Sequence, residues 1–498
     1  MRRNVSRVLG GMLASKALAF MREVITAALF GTGAVVASFR VALAGTFVPA
    51  HFLASDAVNS AFIPVYKELR ADSRDKAQIL VWVLVVLFGA FSLGIGALFW
   101  FASEHWVRIL TPGLDAKTTV IASAVLSVMG LGVPCYLLTL FLMYVAAADD
   151  DFTPIAVRPI VQNLGLIVGT LAAFAFDDPV LFAWGFAASY ALLAVWTATR
   201  ATRSGLLRIP DSVSALDVRE ALTAFWRALN PLLPLPLFLQ GTIVVERLVA
   251  SLVSLIAVSA IDYARFLSDT LVTIISMPVG FAGLNQWSGL KAGEVREHLG
   301  RLIPFVLLVA VPMSAFVAGN AELVVRITFA RGAFDAQSVD VTTRILVPIA
   351  LGLWAQIVAN ILIRALNALR RNHQVLRIMA LSLVGNAVVD ALGYSKFGAM
   401  ALGMGNLVYG VGLLIGASIA LGMVGQVARR GGLLLLGGAI YVAIAKSFAL
   451  PERSVWGQVA EAGLVAAAFW TLWIAGIPDL RRLARRFVIG VEARRPTE

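Results

Sequence analysis

Long apolar runs separated by short polar ones dominate the chain, and their lengths predict helices that cross a bilayer. A span takes roughly 20 predominantly apolar residues. Fourteen segments fit: 5–30, 34–64, 78–101, 119–147, 154–175, 179–200, 228–253, 257–284, 300–320, 341–366, 375–394, 398–424, 432–449 and 456–477. The second is the least uniform, interrupted by Pro49, His51 and Asp56, and the seventh opens with Asn230, Pro231, Pro234 and Pro236. Proline removes a backbone donor, so the seventh is expected to be broken or kinked against a cavity wall.

The polar connections orient these spans. With the N-terminus in the cytoplasm, that side holds Arg2, Arg3, Arg7, Lys67, Arg70, Arg74, Lys76, Arg200, Arg203, Arg208, Arg219 and Arg227. Lys291, Arg296, Arg301, Arg370, Arg371, Arg377, Arg429, Arg430 and a basic tail ending in Arg494 and Arg495 follow. The opposite side holds chiefly Arg108, Lys117, Arg326, Arg331, Lys396 and Arg453. The positive-inside rule therefore predicts cytoplasmic termini and an even number of spans. The acidic run 149–151 on the cytoplasmic side is an exception, in residues that weigh little in the rule.

The longest central polar stretch, 201–227, divides the chain. An N-terminal six-helix bundle is expected over 1–200 and a cytoplasmic linker over 201–227, in which 211–226 reads as an amphipathic surface helix. A second six-helix bundle is expected over 228–424, then two extra spans and a basic tail over 425–498. The expected fold class is an all-α polytopic membrane protein. Each bundle opens with a charged span, as in the internal duplications of transporters. Trp456, Trp470 and Trp473 in the extra spans suit interfacial or lipid-facing positions.

Charges inside the spans are the candidates for function. The stretch 15–33, SKALAFMREVITAALFGTG, carries Lys16, Arg22 and Glu23. A charge near the bilayer centre costs about 2.5–3.5 kcal/mol even on the mildest scale. The three therefore predict a water-filled cavity where a charged ligand could meet them. A plainer alternative has Lys16 snorkelling to the cytoplasmic edge while Arg22 and Glu23 neutralise each other. Helical geometry sets Glu23 about 20° from Lys16 and makes those two neighbours on one face. Arg40, past the break at Gly31 and Gly33, is a further lining candidate.

In the eighth span Asp269 lies about 20° from Asp262 and Arg265 about 60° away, so all three share a face. They form either a structural ion-pair ladder or a gating and coupling site. Glu246 and Arg247 point about 100° apart, so one of them should meet another helix. Asp390, near the outer end of its span, reads as capping or solvated. Gly412 and Gly416 make a small-xxx-small pair for close helix packing.

Composition narrows the classes. Of 498 residues, 59% are apolar and 14% charged, against about 45–50% and 25% in soluble domains. The net charge of +12 resides in short loops, so nucleic acid is not expected as a partner. The single Cys135 allows no intrachain disulfide, and the four histidines show no metal-ligand spacing, so neither a metal nor a catalytic site is expected. There is no GxxxxGK[ST] loop for ATP and no connection long enough for a catalytic domain. The opening MRRNVSR resembles a signal peptide, but Lys16 interrupts the apolar region, so it reads as a retained first span.

Several motifs stand out along the chain: GTG at 31–33 after SKALAFMREVITAALF, SAFIPVY at 60–66, ERLVASL at 246–252, VSAIDYARFL at 258–267 and ITFARGAF at 327–334, with GL at 352–353 and RALNAL at 364–369. Together they resemble the MviN/MurJ-type lipid II flippases of the multidrug/oligosaccharidyl-lipid/polysaccharide exporter superfamily. The resemblance implies fourteen spans and a central cavity where Lys16 and Arg22 engage a lipid-linked diphosphate, with Asp269 matching a carboxylate of the eighth span. The chain departs from the pattern at Ala37, where an acidic residue is expected, and at Ala50, where a basic one is, with His51 beside it. Phe266 replaces an arginine, with Arg265 one place earlier, and RNHQV stands at 371–375.

The expected function is a flippase, not an enzyme, carrying a polyprenyl-diphosphate-linked saccharide across the bacterial inner membrane by alternating access. Lys16, Arg22, Arg40 and Arg265 are its substrate-binding candidates, and Glu23, Asp269, Asp262, Glu246 and Arg247 its gating or coupling candidates. Coupling to membrane potential, Na⁺ or H⁺, a monomeric state and no cofactor are expected. The alternatives are a membrane-embedded glycosyltransferase or ligase for the same lipids, and an ion-coupled small-molecule exporter.

Overall fold

The computed structural model describes residues 2–53, 55–287, 289–447 and 454–492; Arg494 and Arg495 of the basic tail lie outside them. Packing divides the chain into two units, Met1–Ser259 with Arg331–Phe334, and Ala260–Ala330 with Asp335–Glu498. The first contains α1 (Arg2–Phe30), α2 (Ala34–Ala50), α3 (Asp56–Asp72), α4 (Arg74–Leu110), α5 (Ala116–Ala148), α6 (Thr153–Ala175), α7 (Leu181–Arg203), α8 (Ala215–Leu229) and α9 (Pro234–Val253). The boundary falls within α10 (Leu255–Trp287), followed in the second unit by α11 (Ala292–Gly319), α12 (Ala321–Phe329), α13 (Ala336–Ala368) and α14 (Asn372–Phe397). α15 (Met400–Leu421), α16 (Val424–Ser447), α17 (Val455–Gly476) and α18 (Pro478–Glu492) complete it. The described residues are overwhelmingly helical, and 11 of their helices are long and apolar enough to cross a membrane.

The stretch expected as a single second span is two helices. α2 contains Pro49 and ends at Ala50, and α3 begins at Asp56 and packs against α4 and α8. The prolines of the seventh span act as expected: Asn230–Leu232 is a 3₁₀ turn and α9 starts at Pro234. α9 packs on α2 and α4, so the division by packing falls one span after the polar stretch 201–227. The amphipathic segment of that stretch is α8, capped by the Ser214 hydroxyl, which accepts from the Asp217 amide. The acidic run is neutralised locally, with Arg70 on Asp149, Lys67 Nζ 4.0 Å from Asp150, and Arg200 Nε 2.6 Å from Asp151. Partial burial disfavours the Asp151 carboxylate, but Arg200 and Thr153 outweigh it and hold its carboxyl below the usual range.

Each unit has an aspartate at the start of a central helix. Asp115 caps α5 by accepting from the Thr118 amide, and Asp335 caps α13 through Ser338. In the second unit α13 packs against α11 and α15, with 78% of its most apolar stretch buried, against 6% for α17. α13 is therefore the core helix and α17 peripheral. Trp456 on α17 is exposed, but Trp470 is buried against Tyr441 and Phe469 instead of facing lipid. Gly412 and Gly416 admit α14 as expected, since a Cβ there would lie 2.9 Å from Ser382 Oγ and 2.7 Å from Ile378 Cγ2.

In the first unit two sequence motifs meet. The Ala333 amide donates to the Ala28 carbonyl at 2.8 Å, joining the RGAF segment to the end of α1. Gly31 and Gly332 adopt φ of 59° and 56°. A Cβ on Gly31 would lie 2.3 Å from the Ala333 oxygen, and one on Gly332 2.2 Å from the Ala28 oxygen. Both positions thus require glycine for conformation and for space. Gly332→Ala should lower the melting temperature of the purified protein by more than left-handed strain of about 1–2 kcal/mol alone explains. Gly463→Ala, in open space within α17, should not lower it, since alanine favours a helix interior; a Gly332→Ala protein that melts like the wild type would contradict the interlock.

Candidate functional site

The α1–turn–α2 hairpin sets the geometry of the first unit's charges. Glu23 lies 8 residues before Gly31 and Arg40 lies 7 after Gly33, so folding about the turn brings them to the same level. Arg40 donates through Nη1 to Glu23 Oε1 at 3.2 Å and through Nη2 to Oε2. Arg22 Nη2 lies 2.6 Å from Glu23 Oε1, while its Nη1 donates to Asn163 Oδ1 on α6 at 3.0 Å. The Asn163 amide in turn donates to the Pro159 carbonyl at 2.7 Å.

Glu23 and Arg40 are only 2% and 7% exposed, Arg22 is half-buried and Lys16 is exposed. Glu23 therefore partners Arg22 and Arg40 rather than Lys16. Side-chain length explains the difference: a guanidinium reaches round the helix to the adjacent carboxylate. Arg40, expected to line a cavity, is committed to Glu23 within the packing. Ala37 and Ala50, the two departures on α2, are both fully buried, where a charge would need a partner.

The remaining candidates lie on α9 and α10. Glu246 and Arg247 are both buried in the first unit, and Arg247 Nη1 donates to the Val258 carbonyl at 2.8 Å, tying α9 to the first turn of α10. In the second unit, unbroken α10 keeps Asp262, Arg265 and Asp269 in helical register, the first two half-buried and Asp269 exposed. Tyr409 on α15 is within electrostatic reach of Arg265 and Asp269.

Two features were not foreseen. Asp390, expected to be capping or solvated, is fully buried beside Asn386, and Gly405 of α15 approaches so closely that a Cβ would lie 2.1 Å from Asp390 Oδ1. Nearby on α15, Asn406 Oδ1 accepts from Gln356 Nε2 of α13 at 2.6 Å. The other feature is Arg158 on α6, whose position inside a predicted span was the available signal.

The family model for the lipid II flippase MurJ matches residues 26–475. The chain belongs to the MurJ lipid II flippase family. A Synechocystis relative described as a probable lipid II flippase MurJ is 25% identical over 409 residues, covering 79% of this chain and 76% of its own. The fold is similar to that of a lipid II flippase MurJ in an inward closed conformation, with a TM-score of 0.80 at 16% identity over 94% of this chain and 99% of that one. An inward-facing multidrug-resistance MATE transporter of the MOP superfamily has a similar fold, with a TM-score of 0.64 at 13% identity, covering 88% of this chain and 96% of that one. The chain is thus a multi-pass membrane transporter, not an enzyme, and the glycosyltransferase alternative falls.

Glu23 is the described carboxylate that this cluster places between two arginines, and removing it takes a buried anionic partner from Arg22 and Arg40 at once. Glu23→Ala should destabilise the protein by about 3–5 kcal/mol, and Arg40→Met in the same chain should recover part of the loss. Thermal unfolding in detergent reads both effects; additive losses would contradict the shared pair.

Proposed function

We propose that this protein moves a polyprenyl-diphosphate-linked saccharide, lipid II or a related envelope precursor, from the inner to the outer leaflet of the bacterial cytoplasmic membrane by alternating access. The reading includes fourteen spans, both termini in the cytoplasm, and a monomer. The observation that carries it is the charge balance of the first unit. Arg22 and Arg40 share the single carboxylate Glu23, and Lys16 is exposed two turns earlier on α1, so these four groups carry an excess of positive charge. A diphosphate esterified at both ends carries one negative charge on each phosphorus, which matches that excess. Exposed Lys16 and half-buried Arg22 are its ligands, since ammonium and guanidinium donors suit phosphate oxygens. Arg40 holds Glu23 and thereby sets how much of Arg22 is available. Arg265, with Asp262 and Asp269, acts on the second unit's side of the cycle, as a gate.

The cycle is coupled to the membrane potential. One charge moved through 100 mV is worth about 2.3 kcal/mol, so an inside-negative potential draws an empty basic cavity inward, while a loaded, neutralised one swings outward. For exchange of a proton or sodium ion, buried Asp390 with Asn386 is the carboxylate of the second unit best suited.

In proteoliposomes, Lys16→Ala and Arg22→Ala should each abolish lipid II flipping without loss of expression; full activity of both would reject the binding assignment. Collapsing the potential with an ionophore should slow the wild type, whereas an unchanged rate would reject the coupling.

A further inference from the structure

Arg158 lies on α6, inside the first unit and away from the Glu23 cluster. Its Nη1 donates to Tyr190 Oη of α7 at 3.5 Å, and that hydroxyl donates onward to Gln162 Oε1 at 2.9 Å. Tyr190 is fully buried, with its ring packed edge-on against Tyr136 of α5 at 4.8 Å between centroids. His51, at the end of α2, stacks on Phe47 at 5.0 Å and is within electrostatic reach of Arg158. The guanidinium thus points inward, toward α7 and α5, rather than snorkelling out to lipid.

The surroundings of Arg158 differ in kind from those of Arg22 and Arg40. Its neighbours are phenols, an amide and an imidazole, and no carboxylate pairs with it among the described residues. Its Nε is buried without a hydrogen-bond acceptor. Arg158, Gln162, His51 and Phe47 all keep partial exposure, so the group is a wall and not a sealed core. A permanent cation inside a membrane helix, with most of its N–H donors unused and hydroxyl and amide groups beside it, suits an oxyanion.

Its position adds a direction. Arg158 precedes Asn163, the partner of Arg22, by 5 residues, about 7–8 Å along the helix axis. It is nearer the start of α6, which follows the acidic turn bound by Arg70 and Arg200. The basic connections assign that end to the cytoplasm.

We propose that Arg158, with Gln162, Tyr190 and His51, forms a second oxyanion subsite that receives a phosphate group on the cytoplasmic side before it reaches Arg22. The order of contact rests on the flippase reading; the oxyanion chemistry does not. The phosphate can come from a polyprenyl diphosphate or from an anionic phospholipid headgroup.

The test is binding of lipid II and of phosphatidylglycerol to the full-length protein in phosphatidylcholine nanodiscs, for the wild type, Arg158→Gln, Arg158→Lys and Arg22→Ala. Arg158→Gln should weaken lipid II binding about tenfold, and Arg158→Lys should recover much of it. If the loss falls on phosphatidylglycerol instead, the subsite stands and its phosphate comes from phospholipid. If Arg158→Gln binds both lipids like the wild type while Arg22→Ala loses lipid II, the subsite is wrong and the flippase reading survives. If the wild type fails to bind lipid II but binds phosphatidylglycerol through Arg158, the flippase reading fails alone. Binding of neither lipid by the wild type overturns both. Should Arg158→Gln not fold, Tyr190→Phe, which removes the neighbouring hydroxyl, should weaken the same lipid about threefold, and an unchanged affinity would overturn the subsite.

Discussion

A single carboxylate within a low-dielectric interior organises the first unit. Glu23 is almost completely buried and is shared by Arg22 and Arg40. Burying any one of these charges alone is costly, and burying them together is tolerable only when the geometry satisfies several hydrogen bonds at once. The hairpin supplies that geometry, and the hairpin depends on the turn between Phe30 and Ala34. Gly31 allows the left-handed backbone of that turn, and the RGAF segment closes on it through the Ala28 carbonyl. Two motifs far apart in the chain therefore serve one end of the charge cluster.

The same constraint separates charges that hold the fold from charges that can meet a ligand. Arg40 is buried with Glu23, while Arg22 divides its guanidinium between Glu23 and Asn163 and remains partly open. Lys16 is exposed, and Arg158 has aromatic hydroxyl and amide neighbours. The cations thus form a graded series across α2, α1 and α6, from the most compensated, Arg40, to the least, Lys16 and Arg158. Such grading suits a site that must bind a diphosphate and also release it, because permanently paired arginines shape the site without competing for the ligand.

Much of this was legible in the sequence, for identifiable reasons. Helix positions followed from apolar length, the start of α9 from its prolines, and α8 from its amphipathic pattern. Lys16 and Arg22 stood out because charge in a span is costly. Rotation along one helix sets Glu23 beside Lys16, whereas the hairpin sets it opposite Arg40, and the near-equal distances of Glu23 and Arg40 from the turn are the trace of that pairing in the sequence. The break after Ala50 was hidden because α3 continues an apolar pattern beyond Pro49 and His51. Asp390 reads as an end residue from its apolar run, but α14 continues to Phe397 and Gly405, without a side chain, lets α15 close over the carboxylate. The position of Arg158 inside a span signals a costly charge as it does for Lys16 and Arg22, but its neighbours come from α2, α5 and α7, which no local pattern reveals.

The central claim is that an excess of positive charge in the first unit recognises a diphosphate. It is tested most directly by binding a headgroup series to the purified protein: saccharide-bearing polyprenyl diphosphate, saccharide-bearing polyprenyl monophosphate, which as a phosphodiester carries one negative charge, and uncharged polyprenol, at increasing salt. The account predicts affinity falling in that order, with the diphosphate the most salt-sensitive. Equal, salt-independent binding of all three would contradict it, because recognition would then reside in the polyprenyl tail.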